Sequence, residues 1–133
     1  MANANDHTQD ITRVAINGLD STKYVDKVGP SPTAKSQSGP ITISSEVDRV
    51  YSQSPSVPIE VSEGGKKILE VRRDNLEHVV VWNPWIEKAK GMGDFEPKDG
   101  WKKMVCVEAG QVLGWQRLEA GDTFEGSQFV RGF

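Results

Sequence analysis

A single cysteine, Cys106, in 133 residues rules out an intrachain disulfide and any metal site built on a cysteine cluster. It suits a reducing compartment, and the expected location is cytoplasmic. Long apolar runs are missing too: none approaches the ~18 residues that a membrane helix needs. The first ten residues, MANANDHTQD, have neither the basic nor the apolar region of a secretory signal. Positive charge is not in excess, since 16 Lys and Arg face 19 Asp and Glu for a formal net charge of -3. A general nucleic-acid binder would show a basic face. The short pairs Lys66-Lys67, Arg72-Arg73 and Lys102-Lys103 are interleaved with acids and read as solvated strand faces. The two histidines are His7 and His78, and no metal constellation, phosphate-binding loop or nucleophile elbow appears.

What remains is a chain with 36% hydrophobic and 26% charged residues and four tryptophans, enough for a folded protein with a modest core. Strand signals recur along it. Ile11, Val14, Ile16 and Leu19 mark a first strand with a turn signal at Asn17-Gly18, and Tyr24-Val25 marks a second. Residues 29–40, GPSPTAKSQSGP, read as a long surface loop because proline and glycine punctuate regular structure. Further strands are expected at 41–43, 46–51, 55–61, 66–73, 77–82 and 101–110, and in the tail at 115–120 and 123–130. The run KKILEVRR (66–73) alternates charged and apolar residues as a half-buried strand should. Pro84 opening PWIEKAKGM (84–92) predicts one short helical turn. Many short strands at this spacing indicate an all-β sandwich or barrel. Residues 1–9 are expected to be a disordered head and 10–133 the folded part. Sandwiches often take roughly 200–250 residues as one unit, so this length fits one domain or part of a larger one.

Strand parity places Met104, Cys106 and Glu108 of MVCVEAG on one face, with Val105 and Val107 on the other. A carboxylate closing such an apolar run is unusual, and desolvation there would make Glu108 a usable base near neutrality. The plainer alternative is a carboxylate pointing to solvent where the strand leaves the sheet. Asp48, in EVDRVY, either bonds a sugar hydroxyl or pairs with Arg49. Trp82 and Trp85 bracket Asn83-Pro84. Such neighbours recur in carbohydrate sites, although core packing is the commoner fate of a tryptophan at a strand end. His78 shares parity with Val80 and Trp82 and reads as a packed or edge histidine rather than an acid.

The run VVVWNPWIEKAKGMGDFEPKDGWKKMVCVEAGQV (79–112) closely resembles the signature region of the glucose-6-phosphate 1-epimerases, hexose-6-phosphate mutarotases related to aldose 1-epimerase. The resemblance extends through DITRVAINGLDSTKYVDKV (10–28), ITISSEVDRVYSQ (41–53) and VRRDNLEHVVVWNPW (71–85), and into the closing strands. It implies part of a galactose-mutarotase-type antiparallel β-sandwich, its C-terminal half. It implies a hexose 6-phosphate as substrate, α and β anomers interconverted by acid and base, and no metal or organic cofactor. The family's base falls on Glu108 and its substrate-contacting aspartate on Asp48. Its acid histidine and phosphate-holding arginines belong upstream of the DITRV-like strand, where neither His7 nor Arg49, Arg72 or Arg73 matches them. The expectation is an isomerase with impaired activity, prone to self-association through exposed sheet faces. The alternative is a carbohydrate-binding fragment without catalysis.

Overall fold

The computed structural model describes residues 10–133. The head expected to be disordered, His7 included, lies outside the described residues. Alternating apolar and polar side chains become ten strands: β1 (Val14–Asn17), β2 (Lys23–Asp26), β3 (Thr33–Ser36), β4 (Ile41–Thr42), β5 (Val47–Ser52), β6 (Ile59–Glu63), β7 (Lys66–Asp74), β8 (His78–Asn83), β9 (Cys106–Gly110) and β10 (Ser127–Gly132). Their pairings are antiparallel. One five-stranded sheet runs β10-β7-β6-β1-β4 and the other β3-β2-β5-β8-β9.

The inward rows of the two sheets meet in one core. Val14, Ile16, Val61 and Leu69 come from the first sheet, and Tyr51, Val79, Val81 and Val107 from the second, each at most 4% exposed. Burying each aliphatic side chain of this kind contributes ~1.5–3 kcal/mol, which makes the inter-sheet layer the main stabilising element. Turn chemistry sets the register. Gly64 and Gly65, at φ 58 and 82, close the two-residue hairpin between β6 and β7, a turn that requires positive φ at both positions. Gly18 has φ 96, and a Cβ there would run into the Pro58 carbonyl. The one α-helix among the described residues, α1 (Trp85–Gly91), starts after Pro84 and ends with the Met92 N–H on the Lys88 carbonyl.

Four expectations need correction. Residues 29–40 are not all loop, because β3 pairs with β2 along Thr33–Ser36. All four of its side chains are exposed, so no burial pattern marked it. The first strand begins at Val14, because Ile11–Arg13 form a 3-10 turn in which the Asp10 carboxylate accepts from the Thr12 N–H and hydroxyl. Gly100–Lys103 is likewise a 3-10 turn rather than the start of β9, with the Gly100 N–H on the Pro97 carbonyl. Finally, 115–120 forms no strand and Trp115 stands fully exposed; its alternation finds no ladder partner.

Candidate functional site

The second sheet sends Val79 and Val81 of β8 and Val107 of β9 into the core, so the intervening residues line its outer face. The register then fixes the rows on that face. Glu108 lies opposite Val80, which lies opposite Val50 and then Val25. One step along, Cys106 lies opposite Trp82, which lies opposite Asp48. A step the other way puts Gly110, His78 and Ser52 in line. Glu108 and Asp48, read from the sequence as base and substrate contact, thus share one face. With strands ~4.8 Å apart and residues ~3.4 Å along, their Cα atoms are separated by roughly 12 Å.

Glu108 is half-buried, and its strand neighbour Cys106 is 4% exposed. Burial pushes the Cys106 thiol up to about 12, and the Glu108 charge and a hydrogen bond to its carboxylate add to the rise. The neutral thiol is therefore the donor and the carboxylate the acceptor. Met104, expected on this face, precedes β9, and its sulfur lies 3.5 Å from the buried Asn83 Nδ2.

Asp48 does not pair with Arg49. Its carboxylate lies 3.7 Å from Lys27 Nζ, both side chains partly open to solvent. Consecutive strand residues face opposite ways, and Arg49 turns toward the other side. There its guanidinium donates to Gln37 Oε1 (3.0 Å) and the Tyr51 hydroxyl (3.2 Å) and lies 4.9 Å from the Tyr24 ring centre. The Lys27 partnership escaped the sequence reading because it joins the end of β2 to β5, two segments distant in the chain.

His78 is 7% exposed and its Nδ1 accepts the Val112 N–H at 3.2 Å. This is the packed histidine expected from parity, on the face of Glu108 and one row along from it. Arg72 bonds Glu70 Oε1 at 2.5 Å. Arg73, 5% exposed, donates to the carbonyls of Leu76, Val57, Gln53 and Ser54. Both are occupied in holding the first sheet and its loops.

The tryptophan-flanked amide is structural. Asn83, with 0% exposure, donates through Nδ2 to the carbonyls of Trp101 and Met104, each at 2.8 Å, and accepts the Trp85 N–H at 2.8 Å. Trp85 and Trp101 pack on each other with ring centres 4.4 Å apart and rest against the core. Trp82 alone of the three looks outward beside Asp48 and Cys106. Neither the cleft lined by Ser52, Gln53 and Glu77 nor that lined by Ile86, Lys98 and Trp101 includes Glu108 or Asp48; the two carboxylates share a sheet face. Among the described residues no cluster of three or more His, Cys, Asp or Glu could hold a metal ion. No helix among the described residues is long and apolar enough to cross a membrane.

A family model described as aldose 1-epimerase matches residues 2–130. This chain belongs to the aldose 1-epimerase family. Among aldose 1-epimerase relatives, a Cenchrus ciliaris protein named "Putative glucose-6-phosphate 1-epimerase" is 36% identical over 117 residues, covering 88% of this chain and 35% of its own length. A protein of the same name from Escherichia coli strain K12 is 31% identical over 109 residues, covering 82% and 36%. The chain therefore spans about a third of the length of these curated relatives. A Salmonella typhimurium structure described as a putative mutarotase superposes with a TM-score of 0.64 at 30% identity, over 77% of this chain and 34% of that one. The structure of HI1317 gives 0.71 at 23% identity, over 92% and 41%, and establishes the shared fold.

Proposed function

We propose that this chain interconverts the α and β anomers of a hexose 6-phosphate, with Glu108 as the base and Asp48 holding a sugar hydroxyl. The observation that carries this reading is the shared outer face, where both half-buried carboxylates flank the half-buried Val80 and Trp82. Glu108 takes the proton of the anomeric hydroxyl while the bond from C1 to the ring oxygen breaks and C1 becomes a carbonyl. The ring oxygen takes a proton from an acid. Rotation about C1–C2 and closure on the other face return both protons and give the opposite anomer. The names of the two curated relatives support the substrate class.

Residues 10–133 are read as the base-bearing, C-terminal part of a mutarotase-type sandwich. His78 is the one histidine among the described residues and is tied to the Val112 N–H. With water as the acid, turnover falls by ~10²–10⁴ relative to a positioned acid. Arg49, Arg72 and Arg73 are engaged elsewhere and supply no phosphate clamp. That observation favours a second reading, sugar binding without turnover. The exposed Phe129, Val130 and Phe133 near the β10 edge support self-association, which size-exclusion chromatography reads directly. The deciding experiment follows anomerisation of glucose 6-phosphate by polarimetry. Acceleration above the spontaneous rate that disappears in Glu108→Gln supports catalysis. Folded protein with no acceleration, or with acceleration untouched by Glu108→Gln, refutes it.

A further inference from the structure

We infer that Trp82 is the platform on which the sugar ring lies, and that it selects closed pyranose rings over open-chain sugars. The inference rests on the sugar-site reading above and adds a ring-recognising residue to it. Of the four tryptophans, Trp85 and Trp101 are consumed by each other and the core, and Trp115 stands in solvent. Trp82 is different. It sits in β8, the strand between β5 and β9, with Asp48 opposite on one side and Cys106 on the other. Glu108 lies diagonal to it, one two-residue step from Cys106 along β9.

The indole is half-buried on the face away from the core. The sheet ladder on both sides fixes its backbone, so little ordering remains to be done when a ligand lands. Val80, half-buried, continues the same apolar surface, with Val50 packed beside it at 4% exposure. An apolar aromatic surface held between two carboxylates has a specific complement. A pyranose ring presents C–H groups on its flat faces and hydroxyls around its rim. Its face can lie on the indole while rim hydroxyls donate to Asp48 and Glu108 on either side. An extended polyol has the same hydroxyls without the flat face.

The test uses the four indole N–H resonances of the full chain in two-dimensional proton–nitrogen NMR, with Trp82 assigned as the signal absent from Trp82→Phe. Glucose 6-phosphate is the ligand and sorbitol 6-phosphate the open-chain comparison. To separate binding from turnover, the titrations are repeated in the Glu108→Gln background. The expected result is a shift of the Trp82 signal with glucose 6-phosphate, a much weaker one with sorbitol 6-phosphate, and affinity reduced roughly tenfold in Trp82→Ala. Trp82→Phe should retain most of the affinity and serves as the folded control, its other three indole signals unmoved. Equal affinity in Trp82→Ala and the parent overturns the platform while leaving anomerisation to stand or fall by polarimetry. A parent chain that binds neither ligand overturns the platform together with the sugar-site reading.

Discussion

Asn83→Ala tests whether the amide that joins β8 to the approach of β9 holds the sheet end together. Asn83 is wholly enclosed and makes three 2.8 Å hydrogen bonds: two donated to the Trp101 and Met104 carbonyls, one accepted from the Trp85 N–H. The last of these steadies Trp85 at φ 57, a left-handed conformation that costs a non-glycine residue roughly 1–2 kcal/mol. Each lost bond is worth about 1 kcal/mol net, and a buried group left unpaired costs ~1–3 kcal/mol. The Met104 bond is the buried one, so the sum is about 3–5 kcal/mol. With a urea dependence of ~1–3 kcal/mol/M for a small protein, the unfolding midpoint should fall by roughly 1–5 M. Tryptophan fluorescence in urea reads it. Asn83→Asp sharpens the test, since an ionised carboxylate keeps the acceptor for Trp85 but turns a second acceptor toward two carbonyl oxygens. It should be at least as damaging at neutral pH and milder in acid, where the protonated group donates again. A midpoint within ~0.3 M of the parent for Asn83→Ala, with an unchanged slope, would refute the clamp.

Three further outcomes follow from the side-chain environments. The Glu70 carboxyl is held down to about 2, first by its hydrogen bond from Lys67 and then by that from Arg72. Its stabilisation is therefore complete above its ordinary value of 4.5 and is lost as pH falls toward 2. Acid titration of stability should be flatter over that window in Glu70→Gln, and identical curves would contradict the network. Arg73→Lys removes the fork that reaches four carbonyls, and should lower stability by about 2–4 kcal/mol in urea unfolding; a loss below 0.5 kcal/mol (roughly) would count against it. Cys106, pushed from 9.0 to about 12, carries about a thousandfold less thiolate than an ordinary thiol at pH 8. Alkylation by iodoacetamide should be slow in the native chain and fast in urea, and equal rates would refute its enclosure.

The parts of the fold legible in the sequence are those whose burial repeats locally. KKILEVRR and EHVVVW show β7 and β8 because one sheet face is apolar. The same parity placed Cys106 with Glu108 on one face. β3 was hidden because TAKS buries nothing and is held by its ladder to β2 and the Lys35–Asp26 ion pair. At 115–120 the reverse holds: the pattern suits a strand, but only a neighbouring strand can make it one. Asp48 illustrates both limits. Parity already forbids an Asp48–Arg49 pair on a strand, whereas its approach to Lys27 depends on how β2 meets β5. The chemistry of Glu108 was approached through MVCVEAG, but its companionship with Trp82 and Asp48 required the register of three strands.

Among the described residues β9 stands at the end of its sheet, with β8 as its sole ladder partner. A strand zipped along one margin can peel away without dissolving the layers behind it, because outer strands open at lower free energy than the core. The aim of the Glu108 carboxylate is thus set by the lifetime of one ladder rather than by the stability of the whole sandwich. Warming will loosen the seat of that carboxylate before it melts the protein.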